Sequence, residues 1–381
     1  MKTLLKNGMV YRNHEFAKTD VLFDGRTICA VGDDLQADGA EVVDAAGTYV
    51  VPGFIDVHTH GAVGVDVNGA SAEDFEKICR FQATQGTTSW QGSILTDTRE
   101  QTLSCIGEYN KWKAMEHEGA DLMGIHLEGP FLCADYKGAM PEHLLQKPNM
   151  ELLKEYQDAA KGDIRYITVS PEVEGIPEFI PEMKKLGMVV AIGHSGADYD
   201  TARKAIANGA MAATHTGNAM KLLHQHFPAI WGAVLEDDNL YCEIICDGRH
   251  LHPGTVRLII KTKGLDRVVA ITDSIMAAGL PDGDYKLGVN DVIVENGDAK
   301  LPNGVRAGST LTMAQALRNL MAFTGEGAEI VSRLMTANPA RLMGWAGKGE
   351  LDVGKDADLV LLDGDYQVAR TVVGGRTVYT R

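Results

Sequence analysis

The 381-residue chain has no CxxC pair and no dense cysteine framework. Its six cysteines (Cys29, Cys79, Cys105, Cys133, Cys242, Cys246) are scattered, which excludes a disulfide-stapled scaffold. That usage suits a reducing compartment, where a buried thiol packs as a small hydrophobe. Positive charge is scarce: 36 Lys and Arg stand against 52 Asp and Glu, a formal charge of −16. Nucleic acids and anionic membranes need a basic surface, so neither is an expected partner. The opening stretch MKTLLKNGMVYRNHEF has no apolar run long enough for a signal peptide or a membrane span, and the expected location is the cytoplasm. Internal repeats and low-complexity tracts are also missing.

What is present is a 45% apolar fraction, enough for a large core. Five short apolar runs end in a group that can bind a metal or move a proton: 54–60 (FIDVHTH), 122–128 (LMGIHLE), 188–194 (MVVAIGH), 211–215 (MAATH) and 268–273 (VVAITD). Runs of this length, rich in Val and Ile, read as buried strands of a parallel sheet. Polar groups at the carboxyl ends of many such strands converge only if the sheet closes into a barrel. Eight candidate strands fall near 53–58, 87–94, 122–128, 164–170, 188–194, 211–215, 241–247 and 268–273. Amphipathic helical stretches at 71–85, 100–117, 177–186 and 197–207 lie between them. The expected class is α/β, a (β/α)8 TIM barrel, which takes about 250 residues.

Both ends have a different texture. Short strands at 4–11, 21–23, 27–31 and 41–43 are broken by Asn-Gly and Asp-Gly turns, and 358–362, 368 and 371–379 repeat the pattern. Residues 1–50 and 343–381 are therefore expected to form one small β-sandwich domain, with 51–342 as the catalytic barrel. The Gly- and Asp-rich excursion 279–306 reads as a hairpin or lid, followed by helices at 312–324 and 328–337.

His58 and His60 lie two apart on a strand, so their side chains share one side. An HxH triplet alone is weak, but His194 and His215 end two further strands and Glu128 ends another. Such a set suits Zn2+ best, with Fe2+, Co2+ and Mn2+ as alternatives. His126 shares the side of Glu128 and reads as a packed histidine beside the site. Asp273, at a strand's carboxyl end, is placed to act as general base and then acid; the other reading is a cap for a following helix. His14, His117 and His143 have surface-like contexts. His224, His226, His250 and His252 follow strands and can line a pocket, with a solvated loop as the alternative for His224 and His252.

Beyond these runs, the segments VPGFIDVHTHG (51–61), HLEGPF (126–131), GHS (193–195), THTGNAM (214–220), DGRH (247–250), ITDS (271–274), AGSTL (307–311) and NPAR (338–341) resemble the N-acetylglucosamine-6-phosphate deacetylases of the amidohydrolase superfamily. The stretch 349–360 is similar to that superfamily's return into its small β domain, so the likeness runs nearly the whole chain. It implies a divalent metal held by Glu128, His194 and His215, with His58 and His60 holding a second ion where both are kept. It implies that Asp273 activates water and later protonates the departing amine, with His250 or His215 assisting the oxyanion. Asn218, Ala219, Ala307, Gly308 and Ser309 match the family's substrate-contacting segments. No Lys stands at the Glu128 position, which separates the chain from the carbamylated-lysine type. The family pairs as homodimers whose partner reaches the phosphate pocket, so a homodimer is expected.

Two positions depart from the pattern. His226 replaces an Arg that helps hold the sugar phosphate, and Met140 stands where many members place a substrate-binding His. Arg249, absent from many members, is a candidate to restore the positive charge. A His cannot reproduce an Arg's bidentate fork on phosphate. The expected reaction is hydrolysis of the linear amide of an N-acetyl amino-sugar 6-phosphate, the glucosamine compound first and its galactosamine epimer second. An unphosphorylated or other N-acyl substrate is the alternative. A catalytically silent binding protein is the remaining reading, but such a relative should have lost its metal ligands.

Overall fold

The structure, a computed structural model, describes residues 2–381. Eight parallel strands follow one another around a barrel in sequence order: β1 Phe54–Thr59, β2 Thr87–Leu95, β3 Asp121–Glu128, β4 Ile164–Val169, β5 Val189–Ile192, β6 Ala212–Ala213, β7 Tyr241–Ile245 and β8 Val268–Ile271. The first and last meet beyond their ends. Asp273 N–H donates to the His58 carbonyl at 2.9 Å, and His60 N–H donates to the Ser274 carbonyl at 2.7 Å. This seam lies at the carboxyl ends of the strands, where a barrel places its chemistry.

The strands are buried along both faces, which is why their residues run apolar rather than alternate. Outside them lie α1 Ala72–Thr84, α2 Arg99–Lys113, α3 Met150–Ala159, α4 Ile176–Lys185, α5 Tyr199–Ala207, α6 Ala229–Glu236, α7 Pro253–Lys263 and α8 Met313–Thr324. Ser71 and Asp74 form a reciprocal capping box at the start of α1. Thr98, Asn149, Asp198 and Thr312 each accept a backbone N–H at the start of their helices. The helix expected at 328–337 is broken into Ala328–Val331, a 3-10 turn at Ser332–Met335, and Ala337–Met343. Pro339 lacks an N–H and is tolerated in a first turn, so it opens a new helix instead of extending the old one.

Both ends of the chain do build one small sandwich. Its six-stranded sheet takes Met9–Arg12, Glu15–Lys18 and Tyr49–Pro52 from one end and Leu359–Leu362, Val368–Val373 and Arg376–Thr380 from the other. Its four-stranded sheet comes from residues 2–44 alone. Leu5, Val21, Phe23 and Ile28 of the smaller sheet pack on Val10, Val50, Leu359, Leu361 and Val372 of the larger. The single strand expected over 4–11 is two, because Asn7 turns the chain at a positive φ of 65°.

The excursion after β8 is a three-stranded antiparallel flap, Gly283–Leu287, Asn290–Glu295 and Asp298–Lys300. Leu287, Val292, Val294 and Ala299 form its apolar underside, packed on Leu95, Leu132, Met140 and Ile275 of the barrel mouth. Its return is tied to the strand-end acid. Ser309 N–H donates to the Asp273 carbonyl at 2.8 Å, and Ile275 N–H donates to the Ser309 carbonyl at 3.0 Å.

The sandwich meets the barrel through a buried ionic cluster. The Lys348 ammonium, only 4% exposed, faces Asp358, Asp356 at 3.1 Å and Asp121 at 3.3 Å. Asp121 opens β3, so this contact lies at the end of the barrel opposite the site. Removing the cation leaves acids without their charge partner in a desolvated place. Lys348→Met should therefore cost about 3 kcal/mol of stability, read as a lower denaturation midpoint in urea with metal content unchanged.

Candidate metal centre

Two groups of potential ligands lie side by side at the barrel mouth, His58 with His60 and Asp273, and Glu128 with His194 and His215. All six are buried. Glu128 links the groups. Its Oε1 lies 3.1 Å from His194 Nε2, 3.2 Å from His215 Nε2 and 3.4 Å from His58 Nε2, while Oε2 lies 3.1 Å from His60 Nε2. His194 and His215 face each other Nε2 to Nε2 at 3.0 Å, and His58 and His60 at 3.3 Å. Asp273 Oδ1 is 3.3 Å from His60 Nε2 and 3.6 Å from His58 Nε2.

The donor set fits a divalent ion. Ligand atoms held tetrahedrally at about 2.0–2.1 Å from a zinc ion stand about 3.3 Å apart, close to the spacings found. The other ring nitrogens face acceptors: His58 Nδ1 the Glu243 carboxylate at 3.3 Å, His60 Nδ1 the Ser93 carbonyl at 3.0 Å, and His194 Nδ1 the Tyr136 carbonyl at 3.0 Å. Each acceptor favours the proton on Nδ1 and leaves the Nε2 lone pair to the site. His215 is steadied through its backbone, whose N–H donates to Glu243 at 3.2 Å.

Charge follows the same arrangement. Burial drives the Glu128 carboxyl upward, but the imidazoles of His58, His194 and His215 outweigh it and hold the group well below the usual range. Burial likewise opposes ionisation of Asp273, yet His58 and His60 keep its carboxyl low. For the histidines the balance is reversed: desolvation lowers His60, and the Asp273 and Glu128 carboxylates lift it to about 9. His126 is kept neutral by burial and the neighbouring imidazoles, and bridges Ser93 at 2.8 Å to Thr168 at 2.9 Å. It is a packed histidine below the ligand layer.

His58 and Glu128 belong to strands, but His194, His215 and Asp273 lie just past theirs with positive φ of 47°, 30° and 49°. Such conformations cost of order 1–3 kcal/mol for a non-glycine residue and persist where the surroundings enforce them. The Ser170 hydroxyl donates to the His194 carbonyl at 2.6 Å, and Ser195 is bound to Glu172 at 2.7 Å. No helix follows Asp273 until α8, so the helix-cap reading of that residue falls.

Above the ligands opens a cavity of about 630 Å3. Its floor includes His60, Glu128, His194, His215 and Asp273; Asn218, Ala219, His250, Met140, Lys137, Gly308 and the loop Asn303 to Arg306 form its walls. Gly308 has a φ of 62°, and a Cβ there would stand 2.8 Å from the Asp273 carbonyl oxygen.

Four expected substrate contacts lie elsewhere. His226 is on an exposed loop beside Gln225, because the segment after Met220 turns outward. Arg249 points to the flap and donates to the Asn296 carbonyl. Ala307 is fully buried under the flap, and the buried Ser309 hydroxyl donates to the Thr272 carbonyl at 2.6 Å. Met140 reaches the cavity, but is only 2% exposed and fills the flap's apolar base.

Sequence reasoning missed Glu243, Tyr136 and Arg306. Glu243 had a signal, a lone carboxylate in the buried strand YCEII. Arg306 had none, since its place depends on how the flap returns.

Residues 49–378 match the model of the amidohydrolase family. The chain belongs to that family, a class of hydrolases. The N-acetylglucosamine-6-phosphate deacetylase of Bacillus subtilis is 34% identical over 89% of this chain and 87% of its own length. The N-acetylgalactosamine-6-phosphate deacetylase of Escherichia coli O157:H7 is 31% identical over 88% and 89%. A mutant N-acetyl-D-glucosamine-6-phosphate deacetylase from Mycobacterium smegmatis, solved with N-acetyl-D-glucosamine-6-phosphate, superposes over 100% of both chains with a TM-score of 0.93 at 32% identity. Within the family the chain falls among the N-acetylglucosamine-6-phosphate deacetylases.

A pH test follows from His60. Its pKa in the folded, metal-free protein, about 9, exceeds the unfolded value of about 6.5. This group's contribution to stability is therefore complete below about pH 6.5 and lost as pH rises through about 9. Protein stripped by chelation should lose stability over that window, as followed by urea titration. His60→Gln should remove this part of the slope.

Proposed function

We propose that the protein is a metal-dependent deacetylase of N-acetyl amino-sugar 6-phosphates, with N-acetylglucosamine-6-phosphate first and the galactosamine epimer second. The products are acetate and the free amino-sugar phosphate. The observation that carries this is the junction of Glu128, His194 and His215 with Asp273 at the floor of one cavity. The named relatives and the bound sugar phosphate of the Mycobacterium smegmatis enzyme support the substrate class. In this reading 51–342 is the catalytic unit, and 1–50 with 343–381 the flanking β unit.

Glu128, His194 and His215 would hold the ion, zinc being the best match to nitrogen and carboxylate donors. His58 and His60 would hold a second ion where one is bound. A divalent ion there supplies Lewis acidity and makes water a competent nucleophile at neutral pH. Asp273, kept ionised by its imidazole neighbours, takes a proton from the attacking water and delivers it to the sugar nitrogen as the amide bond breaks. His250, whose Nδ1 is anchored to Asp247 at 2.6 Å, presents its other face to the cavity and steadies the amide oxygen. Asn218 and Ala219 line the sugar's place, with Asn218 held by the His215 carbonyl at 3.1 Å.

The protein is also read as a homodimer. Leu222, Leu223 and Phe227 are 58%, 53% and 70% exposed around His226, an apolar surface beside the site that a second copy would cover. Sedimentation velocity should give twice the chain mass for the wild type and the chain mass for Phe227→Glu.

Acetate release from phosphorylated and free N-acetylglucosamine and N-acetylgalactosamine, measured in parallel, tests the assignment. The phosphorylated glucosamine compound should be turned over best; equal use of free and phosphorylated sugars would favour the unphosphorylated reading. Asp273→Asn should lower turnover by roughly 10²- to 10⁴-fold with metal content unchanged, and full activity in that variant would remove Asp273 from the reaction.

A further inference from the structure

The two departures noted in the sequence leave the chain's own cavity without an evident cationic partner for the sugar phosphate at those two positions. His226 lies outside the cavity, and Met140 presents an apolar side chain to it. Arg249, the candidate replacement, is turned to Asn296. Two cationic side chains remain on the cavity wall, Lys137 and Arg306. The Lys137 ammonium folds back on its own loop, 3.3 Å from the Met140 carbonyl.

Arg306 is differently placed. It follows the last strand of the flap, where it bridges to Lys300, and its guanidinium makes a two-pronged contact with Asp298 at 2.9 and 3.2 Å. Lys300 binds the same carboxylate at 2.7 Å, so the group of Arg306, Lys300 and Asp298 keeps one net positive charge. Asp298 engages Nε and Nη2 and leaves Nη1 free of that contact. The side chain is 40% exposed, open to a ligand yet held in direction by its partner.

The position is also at a workable reach. Gly308, two residues on and at most about 7 Å of backbone from Arg306, abuts the Asp273 carbonyl at the reacting end of the site. In an N-acetyl amino-sugar 6-phosphate the acetamide at C2 and the phosphate on C6 lie on opposite sides of the ring. A substrate with its amide over Glu128 and Asp273 must present its phosphate to the wall. A guanidinium matches phosphate oxygens in a planar fork that neither His nor Met can offer.

We propose that Arg306, oriented by Asp298 on the flap, is the specificity-determining residue that binds the substrate's phosphate in this chain. The inference rests on the phosphorylated-substrate reading above. The test is the ratio of kcat/KM for N-acetylglucosamine-6-phosphate over N-acetylglucosamine, in the wild type, Arg306→Met, Arg306→Lys and Lys137→Met. Loss of a charge-assisted contact should lower that ratio roughly 10- to 100-fold in Arg306→Met, mainly through KM, with partial recovery in Arg306→Lys. Competitive inhibition by inorganic phosphate should weaken in parallel. Metal content and melting temperature, read on the same samples, separate this from misfolding. A ratio unchanged in Arg306→Met but lowered in Lys137→Met would overturn the inference and give the phosphate to Lys137. A wild type with no preference for the phosphorylated sugar would remove the substrate reading itself, and this inference with it.

Discussion

One buried carboxylate organises the mouth of this barrel. Glu128 stands within 3.4 Å of imidazole nitrogens from His58, His60, His194 and His215, which arrive on three separate segments. An isolated carboxylate so deeply buried would be protonated rather than pay its desolvation, and four imidazoles crowded together would repel as cations. Each group is tolerable only because the others are present. The closed sheet makes that possible, since only closure brings the end of β1 back to the segment after β8.

The strand count, the order of elements and the meeting of the candidate ligands at one mouth were legible because they rest on local rules. Apolar runs of strand length mark buried parallel strands, and a polar residue at the end of such a run falls at one face. His58 and His60 followed from period two alone. The substrate wall was far less legible. Ala307 and Ser309 sit in the expected loop but serve the flap's core and its anchor. His226 and Arg249 carry suitable chemistry yet face outward, because loop direction depends on packing between distant segments. Glu243 shows the converse case, a carboxylate inside an apolar strand whose purpose becomes clear only when His58, His215 and Tyr166 are seen around it.

The flap unites shape and chemistry. Its apolar underside rests on Met140 and Leu132, so a position that could have been polar instead seats part of the wall. The loop that returns from it delivers Arg306 to the cavity and Gly308 to Asp273. The strained backbone at His194, His215 and Asp273 is held by neighbours on other strands, which fixes the donor atoms more firmly than the strand ends alone would.

The six-stranded sheet has a consequence for synthesis. Tyr49–Pro52 pairs with Leu359–Leu362, more than 300 residues later in the chain. During translation the early strands emerge long before the partners that complete their sheet, and contacts so distant in sequence form late. The barrel between them is therefore synthesised while its companion sheet is half-built, and the strands from residue 359 onward complete that sheet.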